Sequence, residues 1–318
     1  MTLDPQTAAL LSEITPPPEA LHLGLRGVGP QLARVASRTV FLGYAGRDPS
    51  PCSTEDVLIE GAARPVPARL YRPIGNDSRT PLVVFLHGGG WAMGDLDCYD
   101  GLMRDLCAHS GAMLLSVDYL LAPESKFPAA LNEGLAAVRW AAGFIGAQAD
   151  DGPRLAVMGD SAGGNLAAVI ARRLHVEGLI RLSAQFLLYP VLDVSRPHAA
   201  YASRIKYGDG NYLLTRESID TTTAWYLNDT DMPDNPDVSP LLAANAGILP
   251  ETIIVAAGHD PLLDESRIYA GMLAAAGVPT RLKCFETTIH AFLSLGVLDV
   301  AQQGRRYLAT EIKRCLLP

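Results

Sequence analysis

Apolar residues are distributed along the chain in two kinds of run. Pro81-Leu-Val-Val-Phe-Leu86, Met113–Val117, Leu155–Met158, Gln185–Leu188 and Thr252–Ala257 are short and apolar almost throughout, the pattern of strands buried on both faces. Between and after them lie segments with helical spacing: near Tyr99–His109, from Pro128 to about Phe144, from the glycines after Ser161 through about Val176, near Leu263–Ala276, and near Val300–Leu316. Val57-Leu-Ile59 and Val66–Tyr71, joined by Gly61-Ala-Ala-Arg64 and closed by Pro73, have hairpin spacing, and Arg281–Phe285 is a last strand. This alternation predicts an α/β fold, an eight-stranded and mostly parallel sheet with helices on both faces.

Two stretches break the rhythm. Residues 1 to about 50 carry no strand; Leu10, Leu11 and Ile14 form one apolar face before Pro16-Pro17-Pro18, and Leu32, Val35, Ala36 and Val40 form a second. They predict N-terminal cap helices over 1–50 that pack on an α/β domain over 51–318. Between Leu188 and Thr252 run about sixty residues, too many for a structureless loop. This interval holds Tyr201, Tyr207, Tyr212, Trp225 and Tyr226 and a stretch from Asp229 to Pro240 rich in Asp, Asn and Pro. It predicts a helical insertion at about 195–235 that shares a cap, or lid, with the N-terminal helices. No internal repeat or low-complexity segment is evident.

Composition narrows the partner. With 318 residues, 48% hydrophobic and 19% charged, the chain is globular rather than disordered, and long enough for a large core. A net charge of −8 gives no electrostatic reason to bind nucleic acid or an anionic membrane, leaving a small molecule at a local site. The five cysteines, Cys52, Cys98, Cys107, Cys284 and Cys315, contain no C-x-x-C pair. They read as reduced thiols in a cytoplasm and not as a disulfide framework or a metal site, and no cofactor is expected. The first residues have no basic region followed by an apolar core, and no run is long enough to span a bilayer.

The candidate chemistry begins at Gly159-Asp-Ser-Ala-Gly163, between an apolar strand and an alanine-rich helix. Gly-x-Ser-x-Gly places its serine on a strained strand-to-helix turn with the helix N-terminus aimed at the reacting group. By itself the pentapeptide is modest, since random order in this composition yields roughly 0.1 matches, and an ordinary glycine-rich connection would look the same. Context raises it. A serine needs a base and a group that orients the base, and the order Ser, acid, His, each after a strand, is present as Ser161, Asp260 and His290. Of the seven histidines, His22, His87, His109, His175, His198, His259 and His290, only His290 follows the final strand; His259, beside Asp260, is its rival. Asp264 and Asp193 are rivals for the acid, Asp264 also suiting the first turn of a helix.

His87-Gly-Gly-Gly-Trp91 follows a buried strand. Three consecutive glycines bring backbone N–H groups of Gly88, Gly89 or Gly90 near the nucleophile, and with the N–H of Ala162 they make a hole for an oxyanion. A flexible linker or a phosphate loop is the plainer alternative, but no G-K-[ST] follows and no G-x-G-x-x-G opens a helix. His87 reads as a brace for the loop.

These motifs, together with Asp260-Pro-Leu-Leu-Asp-Glu265, Ile289-His290, Val117-Asp-Tyr119 with Leu121-Ala-Pro-Glu124, and Tyr189-Pro190, resemble in order those of the bacterial hormone-sensitive lipase family of α/β-hydrolases. The likeness runs from about Leu70 to the C-terminus. It implies Ser161 as nucleophile, His290 as base, Asp260 as its orienter, and the glycine loop with Ala162 as oxyanion hole; which two glycines point inward is not legible. Leu120 stands where the family usually has Arg, Ser125-Lys126 where it has His-Pro, and Ala291 where it has Gly. These departures touch an ion pair, the pocket and the backbone beside the base, and none removes a catalytic group.

The expected function is hydrolysis of short-chain carboxylic esters through an acyl-enzyme. A lactone or amide hydrolase with the same three residues, and a non-enzymatic receptor on this fold such as the plant gibberellin receptors, are the alternatives. Trp91, Tyr189, Tyr212 and Trp225 are candidates to line the substrate pocket, with Tyr226 beside them, against the plainer role of core packing. The resemblance also suggests a homodimer paired through the edge strand at Arg281–Phe285.

Overall fold

The structure, a computed structural model, describes residues 2–14, 24–46, 50–61, 63–75, 77, 80–146, 154–178, 180–243, 247 and 249–317. The proline break at 16–18 and His22 lie outside the described residues. Eight strands form one sheet: β1 (Ser53–Ile59), β2 (Val66–Arg72), β3 (Leu82–Leu86), β4 (Met113–Val117), β5 (Leu155–Asp160), β6 (Ala184–Leu188), β7 (Glu251–His259) and β8 (Thr280–Ile289). Their order is β1-β2-β4-β3-β5-β6-β7-β8. The hairpin β1–β2 and its junction with β4 are antiparallel, and every pair from β4 to β8 is parallel.

The continuous apolar runs follow from having helices on both faces. Along β3, Leu82, Val84 and Leu86 enter one core while Val83 and Phe85 enter the other; along β5, Leu155 and Val157 separate from Ala156 and Met158 in the same way. The first core is covered by α4 (Ala129–Gly146), α5 (Ala162–Glu177) and α8 (Leu263–Ala275), the second by α3 (Asp100–Ser110) and α9 (Asp299–Leu316). Chain direction reverses across the sheet at β3, whose successor β4 lies on one side and β5 on the other. That crevice, at the carboxyl ends of the strands, is where open α/β sheets bind ligands. The loops after β3 and β5 therefore meet there, and these are the two glycine motifs.

The described part of the N-terminal segment is helical, but part of its second apolar face does not pack as the spacing predicts. In α1 (Pro5–Ile14), Leu10 and Leu11 are buried in the second core. The helix is fastened to the end of β8: Asp4 N–H donates to Thr287 O at 2.9 Å, the Thr7 and Thr288 hydroxyls lie 3.4 Å apart, and Gln6 exchanges hydrogen bonds with Asp299. In α2 (Gly24–Gly43), kinked at Gly29, Leu32 and Val35 are more than 60% exposed and Ala33 is buried instead. The reason is that α2 is held by polar contacts. Arg34 donates to Ala92 O at 2.7 Å and Ala122 O at 2.8 Å and pairs with Glu124, while Arg38 pairs with Asp95 and Asp97. With α2 held through these guanidiniums, Leu32 and Val35 face outward, while Val40 of the same face packs on the second core.

The interval before β7 holds two short helices, α6 (Ala202–Tyr207) and α7 (Arg216–Tyr226), the second opened by a capping box between Thr215 and Ser218. Arg204 of α6 is buried against Glu265 of α8 at 2.5 Å. Lys126 closes the other end of α7 by donating to Ala224 O and Leu227 O. At Leu120 the backbone N–H donates to Glu133 at 2.7 Å, and Glu133 pairs with Arg64 of the hairpin at 2.8 Å; nothing in the structure explains the leucine side chain.

Candidate active site

Ser161 has φ 53° and ψ −116°, left-handed for a residue with a Cβ, and links β5 directly to α5. The two flanking glycines are required by close approach and not by φ. A Cβ on Gly159 would lie 2.1 Å from Gly163 O, and one on Gly163 would lie 1.9 Å from Leu86 O. The turn is locked by Ser161 N–H donating to Leu188 O at 2.8 Å and by Asn165, whose amide donates to Val191 O and Val238 O.

The other two residues arrive from the neighbouring strand ends. His290 follows β8, and Asp260 follows β7. His290 Nε2 lies 2.9 Å from Ser161 Oγ and Nδ1 lies 2.8 Å from Asp260 Oδ2. Asp260 is 1% exposed, and its other oxygen accepts the N–H of Leu262 at 2.8 Å. The ring of Tyr189 meets that of His290 edge-on at 5.0 Å. Ala291 adopts φ 61°, a left-handed position that costs an alanine roughly 1 kcal/mol more than a glycine. The rivals are engaged elsewhere. His259 lies between Tyr207 and Tyr212; Asp193 accepts from Ser195 and Tyr201; Asp264 accepts from Ser203 N–H.

The glycine loop curls beside the elbow. Gly89, Gly90 and Trp91 have φ 106°, 60° and 56°, three left-handed residues in succession, which explains two of the glycines. Gly88 has another reason: a Cβ there would sit 2.6 Å from Asp160 Oδ2. Its N–H donates to Asp160 Oδ1 at 2.6 Å and also reaches Tyr99 Oη at 3.1 Å. His87 braces the loop as its sequence position suggests. Its Nδ1–H donates to Gly88 O at 2.8 Å, its ring stacks on Tyr119 at 4.3 Å, and Tyr119 donates to His87 O at 2.6 Å. Burial pushes the imidazole down to about 4, so it is neutral at ordinary pH.

The aromatic candidates are spread out. Tyr189 stands beside His290, Tyr212 beside His259, and Trp225 is half-buried against the first core. Trp91 is 2% exposed and stacked flat on Tyr226 of α7 at 4.4 Å, which puts it in the first core beneath α7. Thr222, one turn before Tyr226, lies over Gly90 so closely that a Cβ there would meet it at 2.6 Å. Sequence reasoning missed Asp160, Tyr99 and Thr222. Only Asp160 carried a signal, an acid at the end of an otherwise apolar strand.

Comparison with known proteins fits this geometry. A family model for the alpha/beta hydrolase fold matches residues 83–294. The carboxylic ester hydrolase LipN of Mycobacterium tuberculosis is 40% identical over 303 residues, covering 92% of this chain and 78% of its own. The carboxylesterase NlhH of the same organism is 35% identical, covering 97% and 88%. Among solved structures, a hyperthermophilic esterase from the archaeon Pyrobaculum calidifontis superposes with a TM-score of 0.88 at 32% identity, covering 99% of both chains. The chain belongs to the α/β-hydrolase family, among carboxylesterases of the hormone-sensitive lipase type, and is an esterase.

Proposed function

We propose that the chain hydrolyses short-chain carboxylic esters through an acyl-enzyme on Ser161. The observation that carries this reading is the continuous hydrogen-bonded path from Ser161 Oγ through His290 to buried Asp260, at 2.9 and 2.8 Å. Ser161 Oγ attacks the ester carbonyl as its proton passes to His290 Nε2. Asp260 holds Nδ1–H and stabilises the imidazolium, which then protonates the departing alcohol. A water, deprotonated by His290, releases the acid and restores the serine. The tetrahedral oxyanion is held by the N–H groups of Gly89, Gly90 and Ala162, because that of Gly88 is directed to Asp160; one such donor is worth roughly 3 to 4 kcal/mol.

Short acyl chains suit the crowded roof, in which Thr222 sits on Gly90 and Tyr226 on Trp91. Among the described residues no helix is long and apolar enough to cross a membrane; a cytoplasmic location rests on the five unpaired cysteines. A homodimer through β8 is supported by its place at the sheet edge and by exposed Leu282, Ile268 and Met272 nearby. Ser161→Ala should abolish turnover of p-nitrophenyl acetate and butyrate while leaving the unfolding free energy from urea titration within about half a kcal/mol of wild type. Full turnover by that variant would refute the mechanism, and matched lactone and amide substrates, run beside the esters, would identify a different acyl preference.

A further inference from the structure

We infer that Asp160 is a positioning residue for ester hydrolysis, its carboxylate fastening the oxyanion loop to the nucleophile elbow through the N–H of Gly88. This rests on the esterase mechanism proposed above. Asp160 is the last residue of β5, 1% exposed, and adjoins Ser161. Its Oδ1 accepts from Gly88 N–H at 2.6 Å and its Oδ2 from Tyr99 Oη–H at 3.2 Å, while Gly88 N–H also leans toward Tyr99 Oη. One carboxylate thus joins the elbow, the loop after β3 and the residue that precedes α3.

No Lys or Arg pairs with Asp160 among the described residues, so its charge is held by hydrogen bonds, and burial pushes its carboxyl up to about 7 against the opposing pull of Gly88 N–H. A buried acid without a cationic side chain paired to it among the described residues, touching the two segments that carry nucleophile and oxyanion donors, is the kind of group found at active sites. The mechanism follows from the chain: Gly89 and Gly90 immediately follow the amide that Asp160 grips. Both lie in left-handed conformations, and an added Cβ would meet Met93 O at Gly89 and Thr222 at Gly90. A donor must be held to about half an ångström to serve a transition state. Releasing Gly88 frees the loop to move by more than that.

The test compares Asp160→Ala, Asp160→Asn and Tyr99→Phe in the full chain, with p-nitrophenyl butyrate as substrate and an alkyl trifluoromethyl ketone as an analogue whose hemiketal oxyanion occupies the hole. Asp160→Asn keeps an acceptor for Gly88 N–H and should hold kcat within about tenfold. Asp160→Ala should lose about 10² to 10³ in kcat, the loss seen on removing an oxyanion donor, with KM nearly unchanged. The ketone's inhibition constant should rise in parallel with the fall in kcat/KM. Tyr99→Phe, which removes the second contact, should lie between Asn and Ala. Asp160→Ala with kcat near wild type overturns the inference, as does Asp160→Asn falling as far as Ala, or weakened kcat with unchanged ketone affinity. Should Asp160→Ala not fold, Asn and Tyr99→Phe still decide by their order. Absence of ester turnover in the wild-type protein would instead be a failure of the functional reading.

Discussion

Gly163→Ala and Gly143→Ala are the same chemical change in two helices, and the structure predicts opposite signs. Alanine is favoured over glycine in a helix interior by about 0.8–1 kcal/mol. Gly143, exposed in α4, has no heavy atom within 4 Å of where a Cβ would lie, so it should gain that amount. At Gly163 the added methyl would sit 1.9 Å from Leu86 O and 2.5 Å from His87 O, both backbone atoms at the end of β3. Neither can turn away as a side chain would. Overpacking costs typically 1–3 kcal/mol where neighbours can adjust; taking the upper end and subtracting the helical gain leaves a net loss of about 2 kcal/mol. The two variants should therefore differ by about 3 kcal/mol in urea unfolding, read from midpoints at a shared m-value. Relief of the clash must move α5 away from the loop that begins at His87, so Gly163→Ala should also lose about 10² in kcat, the scale of a one-ångström misplacement. A Gly163→Ala midpoint at or above wild type would refute the reasoning, as would a fall in Gly143→Ala.

Two further outcomes follow from buried charge. Arg204→Met strands Glu265, which is 0% exposed, and should destabilise by about 3–5 kcal/mol; adding Glu265→Gln should restore a large part of it, and a double variant as unstable as the single would contradict this. Burial holds His87 near 4 and Asp160 near 7. Folded His87 stays neutral where the unfolded residue takes a proton, so its stabilisation is present above about 6.5 and is lost as pH falls toward 4; folded Asp160 keeps a proton the unfolded residue has released, so stability is lost as pH rises from about 4 to 7. The slopes oppose one another, and in Asp160→Asn stability should climb with pH between 4.5 and 6 more steeply than in wild type, by up to about 1.4 kcal/mol per pH unit. Urea unfolding at stepped pH checks it, and an unchanged slope refutes it.

The sheet was legible because the inner parallel strands lie between two helical layers, so β3 is apolar throughout and β4 and β5 nearly so, while β8, at the edge, is exposed or half-buried over most of its length. Strand order could be anticipated only as far as the alternation of elements allows; the reversal at β3 is a property of pairing. The elbow and the glycine loop stood out because close backbone approaches at Gly159, Gly163 and Gly88 exclude every side chain, a constraint that local composition records. What brings Ser161, Asp260 and His290 together was readable as strand ends in sequence order, though not as distances. The outward stripe of Leu32 and Val35 was misread because periodicity identifies a face without saying what covers it. Trp91 and Asp160 depend on contacts with residues far along the chain, Tyr226 and Gly88, for which no local pattern exists.

The clasp between α1 and the end of β8 has a consequence for how the protein is made. Asp4, Gln6 and Thr7 are synthesised well before their partners Thr287, Asp299 and Thr288, the last two pairs lying 293 and 281 positions apart. While the chain grows, the first helix has no dock, and Leu10 and Leu11 have no completed core to enter. His290 emerges just after Thr287 and Thr288, so its ring can reach Ser161 only once β8 has been made. On the mechanism proposed above, a nascent chain carrying a fully formed elbow would stay inert toward esters until β8 and His290 have been added.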